Sequence, residues 1–371
     1  MNTNVRGPAP GRLPALDGLR FLAALSVLAF HYGYRGALGG LYLKQGYPEL
    51  APVARFGDLG VHLFFLISGF VILLTVEAGK GLPSHFIASR VSRLYPVFWV
   101  AATLTTVLMI GQSEPLAVTL QQYLASLTMV PTRLHVVPVD MVYWTLAVEL
   151  QFYLFVVLYL IFLQRLASID TMLVLWLLAT VCLLPFPDRF PHIELLVLVP
   201  YSTFFIAGGL FYRAMRDGFT RSRVALLAVC WVCAMVTIHR QFVTDPRSAG
   251  NAELVWLYML AGTLCFAAIA TLSVHPDWMG KYAKGMAFLG ALTYPLYLVH
   301  QKIGYVSINA LAPRIGRWWA LGITIVAVLV LAWLLHRLIE VPFNGRFRRW
   351  LEPRLRRADR ILPPRQPERA P

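Results

Sequence analysis

Arg20 and His31 stand eleven positions apart in the apolar run LDGLRFLAALSVLAFH, residues 16–31. On an α-helix that spacing returns the second side chain nearly to the direction of the first, roughly 16 Å further along the axis. A guanidinium facing lipid costs a few kcal/mol, so the shared face has to look into a bundle or a wet cavity. WTLAVELQFY (144–153) carries a second ionisable group, Glu149. A carboxylate inside a membrane needs a partner or a proton, and a histidine at similar depth supplies either. YPLYLVHQ (294–301) adds His300, again toward the outer half of its segment. In HFIASRVSRLYPVFW (85–99), Arg90 and Arg93 are spaced i, i+3, so that both can clamp one anion. GDLGVHLFFLISGF (57–70) offers Ser68 as a candidate substrate contact, with His62 near the outer boundary and glycines suited to close packing. Tyr143 and Trp144 fit an interfacial aromatic belt, the assignment favoured for Tyr143. Together these stretches predict His31, Glu149 and His300 at similar depth with arginines beneath them, a polar path across a bilayer.

The elements that must position these groups follow from composition. Of 371 residues, 58% are hydrophobic and 14% charged, too little polar surface for a water-soluble protein of this length. Long apolar runs recur throughout, which predicts an all-α, polytopic membrane bundle. About ten spans can be drawn, near 14–34, 59–76, 94–111, 142–163, 168–186, 194–212, 223–239, 253–274, 286–307 and 318–339. The weakly apolar stretch 118–130 is a candidate re-entrant or interfacial helix. The first run holds Asp17 and Arg20 and is read as a span rather than a cleaved leader.

The formal net charge is +15, from 33 Lys and Arg against 18 Asp and Glu. The basic residues gather in alternate loops, including Lys80, Arg165, Arg213 and Lys281, and in an Arg/Pro-rich tail at 346–371 following a membrane domain over 1–345. Topology accounts for this without nucleic acid: positive loops stay in the cytoplasm near anionic lipid headgroups, with both termini inside. The tail beyond residue 350 is expected to be dispensable for chemistry. The four cysteines fall in predicted spans; Cys230 and Cys233 of CWVC lack a second pair and read as packing residues, so neither a disulfide nor a metal site is expected.

In this order the motifs resemble bacterial acyltransferase family 3, integral-membrane enzymes that O-acylate cell-surface sugars and related molecules. The resemblance runs from LDGLR and its histidine, through GV-x-x-FF-x-x-SGF (60–70), R-x-x-R-x-YP (90–96) and W-x-L-x-x-E-x-x-FY (144–153), to YPLYLVH and the E-x-P of Glu340 and Pro342. It implies an O-acyltransferase in the inner membrane, with acyl-CoA, by default acetyl-CoA, as co-substrate, no bound cofactor, and a carbohydrate or glycosylated acceptor. Acyl-CoA phosphates would meet Arg20, Arg90 and Arg93, and the thioester arm would reach toward His31. His31 would act as general base with Glu149 orienting it, while Ser68, Trp144 and His300 contact substrate. Direct transfer and an acyl-enzyme on His31 both remain open. The family commonly places a proline shortly after the late histidine, where this chain has Lys302. A proton-coupled transporter of a small anionic or sugar substrate is the rival reading, since intramembrane Arg, His and Glu also suit a proton relay. A non-catalytic membrane partner on the same scaffold is a third.

Overall fold

The computed structural model describes residues 13–79, 81–186, 188–245 and 251–359. Lys80 and the ends of the chain, 1–12 and 360–371, lie outside that set. Among the described residues all regular structure is helical. Eight helical segments are long and apolar enough to cross a membrane, two fewer than the ten expected. The principal helices are α1 (Pro14–Gly33), α2 (Leu59–Ala78), α3 (Pro83–Leu108), α4 (Trp144–Leu158), α5 (Ile169–Leu183) and α6 (Val199–Asp217). They continue with α7 (Arg221–Thr244), α8 (Val255–Val274), α9 (Ala283–Val299), α10 (Gln301–Ile315), α11 (Arg317–Leu335) and α12 (Val341–Asp359).

The two missing spans have separate causes. α5 is apolar but only 15 residues long. The segment expected over 286–307 is divided at His300 into α9 and α10. Pro295 has no N–H to give the helical ladder. About two turns later the ladder opens: the Lys302 N–H donates to Asp140 Oδ2 at 3.0 Å. The Leu298 carbonyl, four residues back, instead accepts from the Tyr143 hydroxyl at 3.2 Å. Both orphaned groups are thereby satisfied in the interior, as buried backbone must be. This also explains why a proline is tolerable at that point of the fold and why Lys302 serves as well. Tyr143, expected in the aromatic belt, is fully buried against Phe98 and belongs to this core junction.

α2 lies at the centre of the bundle, between α1, α6 and α8. Its contact with α6 is backbone on backbone. A Cβ on Gly208 would sit 1.9 Å from the Leu66 carbonyl oxygen, and one on Gly69 2.0 Å from that of Phe205. Only glycine permits this approach, which draws Ser68 deep into the bundle. Cys230 and Cys233 are free and buried in α7, where they pack.

The stretch 118–130 is neither a span nor a loop alone. Leu120–Ser126 forms a seven-residue helix, started by a capping box between Thr119 and Gln122. The Trp99 indole N–H donates to the Leu127 carbonyl at 3.0 Å, tying it to α3.

The chain beyond residue 340 is more ordered than its proline and arginine content suggests. α11 passes through a π-helical turn, His336–Glu340, into α12, which lies along α3. Glu352 approaches His85 Nδ1 at 3.5 Å, and Asn344 accepts from the Ser92 hydroxyl at 3.0 Å. Asp359 accepts from the Ser84 backbone N–H at 3.2 Å and from its hydroxyl. α3 begins after Leu82, which has no capping side chain. Asp359 therefore supplies that cap from the other end of the chain, so polar side chains beyond residue 350 have a structural place at the start of α3.

Candidate active site

Two cavities meet inside the bundle. The inner one, about 90 Å³, is lined by Arg20 of α1, Ser68 of α2, Arg90 and Arg93 of α3, and Glu149 and Tyr153 of α4. The outer one, about 430 Å³, is lined by His31, His62, Trp144, Tyr201, Gln241 and Gln301, among others. Val61 and Tyr297 line both, so their side chains form the partition. Arg20 and His31 thus face inward from one side of α1 into adjoining chambers.

In the inner cavity three guanidiniums meet one carboxylate among the lining residues. Glu149 Oε1 accepts from the Ser68 hydroxyl at 2.9 Å and from the Tyr153 hydroxyl at 2.5 Å. Arg90 is buried; its Nη2 donates to Thr75 Oγ1 at 2.7 Å, and its Nε finds no partner among the described residues. The guanidinium also sits over the Phe86 and Tyr153 rings. A buried, under-satisfied cation beside two others is a site that calls for an anionic ligand. Arg93 comes to the same cavity because the i, i+3 spacing puts it on the face of Arg90. The Tyr294 hydroxyl donates to the Leu94 carbonyl at 3.0 Å, pinning α9 to this turn of α3.

In the outer cavity His31 Nδ1 lies 3.0 Å from the Tyr305 hydroxyl. The His300 ring is 5.2 Å from that of His31, centroid to centroid. His300 Nδ1–H donates to the Tyr297 carbonyl at 2.9 Å, and its Nε2 has no hydrogen-bond partner among the described residues. His300 is wholly buried behind His31 and is not among the residues that line either cavity. His62 Nε2–H donates to Gln241 Oε1 at 3.1 Å. Trp144 faces the outer cavity and packs against Tyr201, ring centroids 5.5 Å apart.

The expected pairing of Glu149 with His31 is not what the structure shows. Glu149 follows the start of α4 by five residues, and Ser68 is the tenth residue of α2. Both lie near mid-bundle, level with Arg20. His31 is two residues from the end of α1 and so lies in the outer chamber. Depth counted from an assumed membrane boundary missed this because α4 starts at the turn Met141–Tyr143, whose Val142 and Tyr143 are already buried in the bundle. Tyr305, the residue that does meet His31, escaped sequence reading; nothing in QKIGYVS distinguishes it from a packing tyrosine.

Known sequences give this geometry a family. Exopolysaccharide production protein ExoZ of Rhizobium meliloti (strain 1021) is 37% identical over 102 residues, 26% of this chain and 32% of ExoZ. Acyltransferase MdmB of Streptomyces mycarofaciens is 32% identical over 108 residues, 29% of this chain and 27% of MdmB. The chain thus spans about a third or less of the length of each of these relatives. No solved structure matches it. The match to acyltransferase family 3, described as an acyltransferase domain, extends over residues 13–337 and takes in every residue of both cavities, and the chain belongs to that family.

Proposed function

We propose that this protein is an inner-membrane O-acyltransferase that moves an acyl group, acetyl by default, from cytoplasmic acyl-CoA to a hydroxyl of a carbohydrate or glycosylated acceptor. The observation that carries this reading is the pair of adjoining cavities, one rich in guanidinium and the other holding His31, behind a partition of two side chains. Arg20, Arg90 and Arg93 suit a donor that brings phosphates, for which bidentate guanidinium contacts are the natural ligands. The aromatic and amide walls around His31 suit a polyhydroxylated acceptor, a class consonant with the printed name of ExoZ.

The reaction then balances simply. The acceptor oxygen attacks the thioester carbon; the new C–O bond forms as the C–S bond breaks. His31 takes the hydroxyl proton and passes it to the departing CoA sulfur, leaving ester and free thiol. Ser68 and Trp144, each lining a cavity, remain candidate substrate contacts, whereas His300 lines neither and meets the site only through the His31 ring. Glu149 holds the Ser68 and Tyr153 hydroxyls and offsets part of the arginine charge, so its part belongs to the donor side.

The test is mass spectrometry of surface glycans and secreted metabolites from cells with and without the protein, and from cells carrying His31→Ala at matched protein level. An acyl mass gain that needs His31 supports the enzyme. Substrate uptake with no acyl product in any glycan or metabolite supports the transporter and overturns the proposal.

A further inference from the structure

Glu149 lines the other chamber, and it is Tyr305 whose hydroxyl lies at His31 Nδ1. We infer that Tyr305 is the positioning residue of His31: its phenol oxygen accepts the Nδ1–H and so presents Nε2 as the basic nitrogen. The inference rests on the functional reading above, in which His31 receives the acceptor proton.

An imidazole used as a base through one nitrogen must carry its proton on the other. Nδ1 lies 3.0 Å from the Tyr305 oxygen, and on this inference it carries the proton. Tautomerism then leaves Nε2 with the lone pair. When Nε2 gains the acceptor proton, the Nδ1–H to Tyr305 bond persists, so the ring need not turn between its neutral and charged states. A carboxylate performs this duty in serine hydrolases. A neutral phenol holds the ring in place with less stabilisation of the imidazolium, so its loss costs less.

Tyr305 is built to stay fixed. It is fully buried and stacks on Tyr42 with centroids 5.0 Å apart and an 18° interplanar angle. A Cβ on Gly36 would lie 2.7 Å from Tyr305 Cε1, so only glycine lets the loop after α1 close over the ring. The preceding residue, Gly304, leaves the space in which the Tyr32 hydroxyl lies; a Cβ there would be 1.9 Å from that oxygen. Tyr32 in turn donates to the His300 carbonyl at 2.5 Å, locking the first turn of α10 to α1. The opened ladder at His300 and Lys302 thus places Tyr305 against the end of α1, and two glycines clear its path.

The experiment compares the full-length protein with Tyr305→Phe, which keeps the ring and removes the oxygen. Nitrogen-15 NMR of histidine-labelled protein, with the His31 signals identified by their loss in His31→Gln, reads the tautomer without requiring turnover. The expected result is a proton on Nδ1 and none on Nε2 in the wild type, and a mixture of tautomers in Tyr305→Phe. An Nε2-protonated His31 in the wild type, or an unchanged Nδ1–H in Tyr305→Phe, overturns the inference. With acetyl-CoA as donor and methyl β-glucoside as acceptor probe, Tyr305→Phe should lower kcat roughly tenfold, the order expected for one oriented hydrogen bond. The KM for acetyl-CoA should stay unchanged; an unaltered kcat also overturns the inference. A wild type that releases no CoA from acetyl-CoA counts against the functional reading alone, because the tautomer decides the positioning role by itself.

Discussion

Arg20 is the residue on which the proposed donor side turns. It shares its cavity with Arg90 and Arg93, yet it comes from the helix that also carries His31, so in the proposed mechanism it ties the anion site to the base. Charge-assisted hydrogen bonds contribute about 1.5–3 kcal/mol each. Arg20→Ala should therefore weaken acyl-CoA binding roughly tenfold to a hundredfold while leaving His31 in place. Equilibrium binding of a non-hydrolysable acyl-CoA analogue to purified variants checks this, and equal affinity in wild type and Arg20→Ala would contradict the assignment. The shared face of Arg20 and His31 was legible in the sequence because it depends on the periodicity of one helix. The company of Glu149 was not, because it depends on how far α4 and α2 are staggered against α1. That stagger is set by the glycine contact of α2 with α6 and by the buried turn before α4, neither of which a hydropathy pattern records.

At the scale of elements, α3 positions two of the three arginines and is itself held at both flanks. Tyr294 pins its middle from α9, while α12 supports its first turns through Asn344, Glu352 and Asp359. Most of α12 reads in the sequence as part of a basic Arg/Pro-rich tail because Pro353 and the arginine run dominate its composition. Its partners, Ser84 and His85, are some 270 residues away, a distance no local pattern spans. A truncation after residue 350 removes Glu352 and Asp359, and with them the only side-chain cap recorded for the start of α3 among the described residues. Loss of a cap and its companion bonds costs about 1–3 kcal/mol. The truncated protein should melt roughly 5 °C lower in detergent and should bind acyl-CoA more weakly than the full chain. Asp359→Ala should show the same direction with a smaller effect. A truncated protein with unchanged melting and donor affinity would return α12 to the standing of a tail.

For the whole molecule, the decisive property is that its two chambers belong to opposite ends of the bundle. Arg20 lies toward the start of α1 and His31 at its end, and the inner arginines sit in the same quarter as the basic helix α12 through its contact with α3. On the proposed reading, positive charge so distributed puts that end on the cytoplasmic side. Under the proposal acyl-CoA, too polar to cross lipid, then has to enter on the side of the arginines, and the acceptor on the side of His31. Sealed membrane vesicles test this as a property of the entire protein. With the cytoplasmic face outward, added acetyl-CoA should be consumed at once, and permeabilising the vesicles should raise the rate less than twofold, as an estimate from free access to the donor site. With the opposite face outward, consumption should be near zero until the membrane is opened. The reverse dependence would invert the topology and assign the arginine chamber to the acceptor. Equal rates in both orientations would mean that the partition of Val61 and Tyr297 does not separate two routes of entry, and the division of labour between Arg20 and His31 would fail with it.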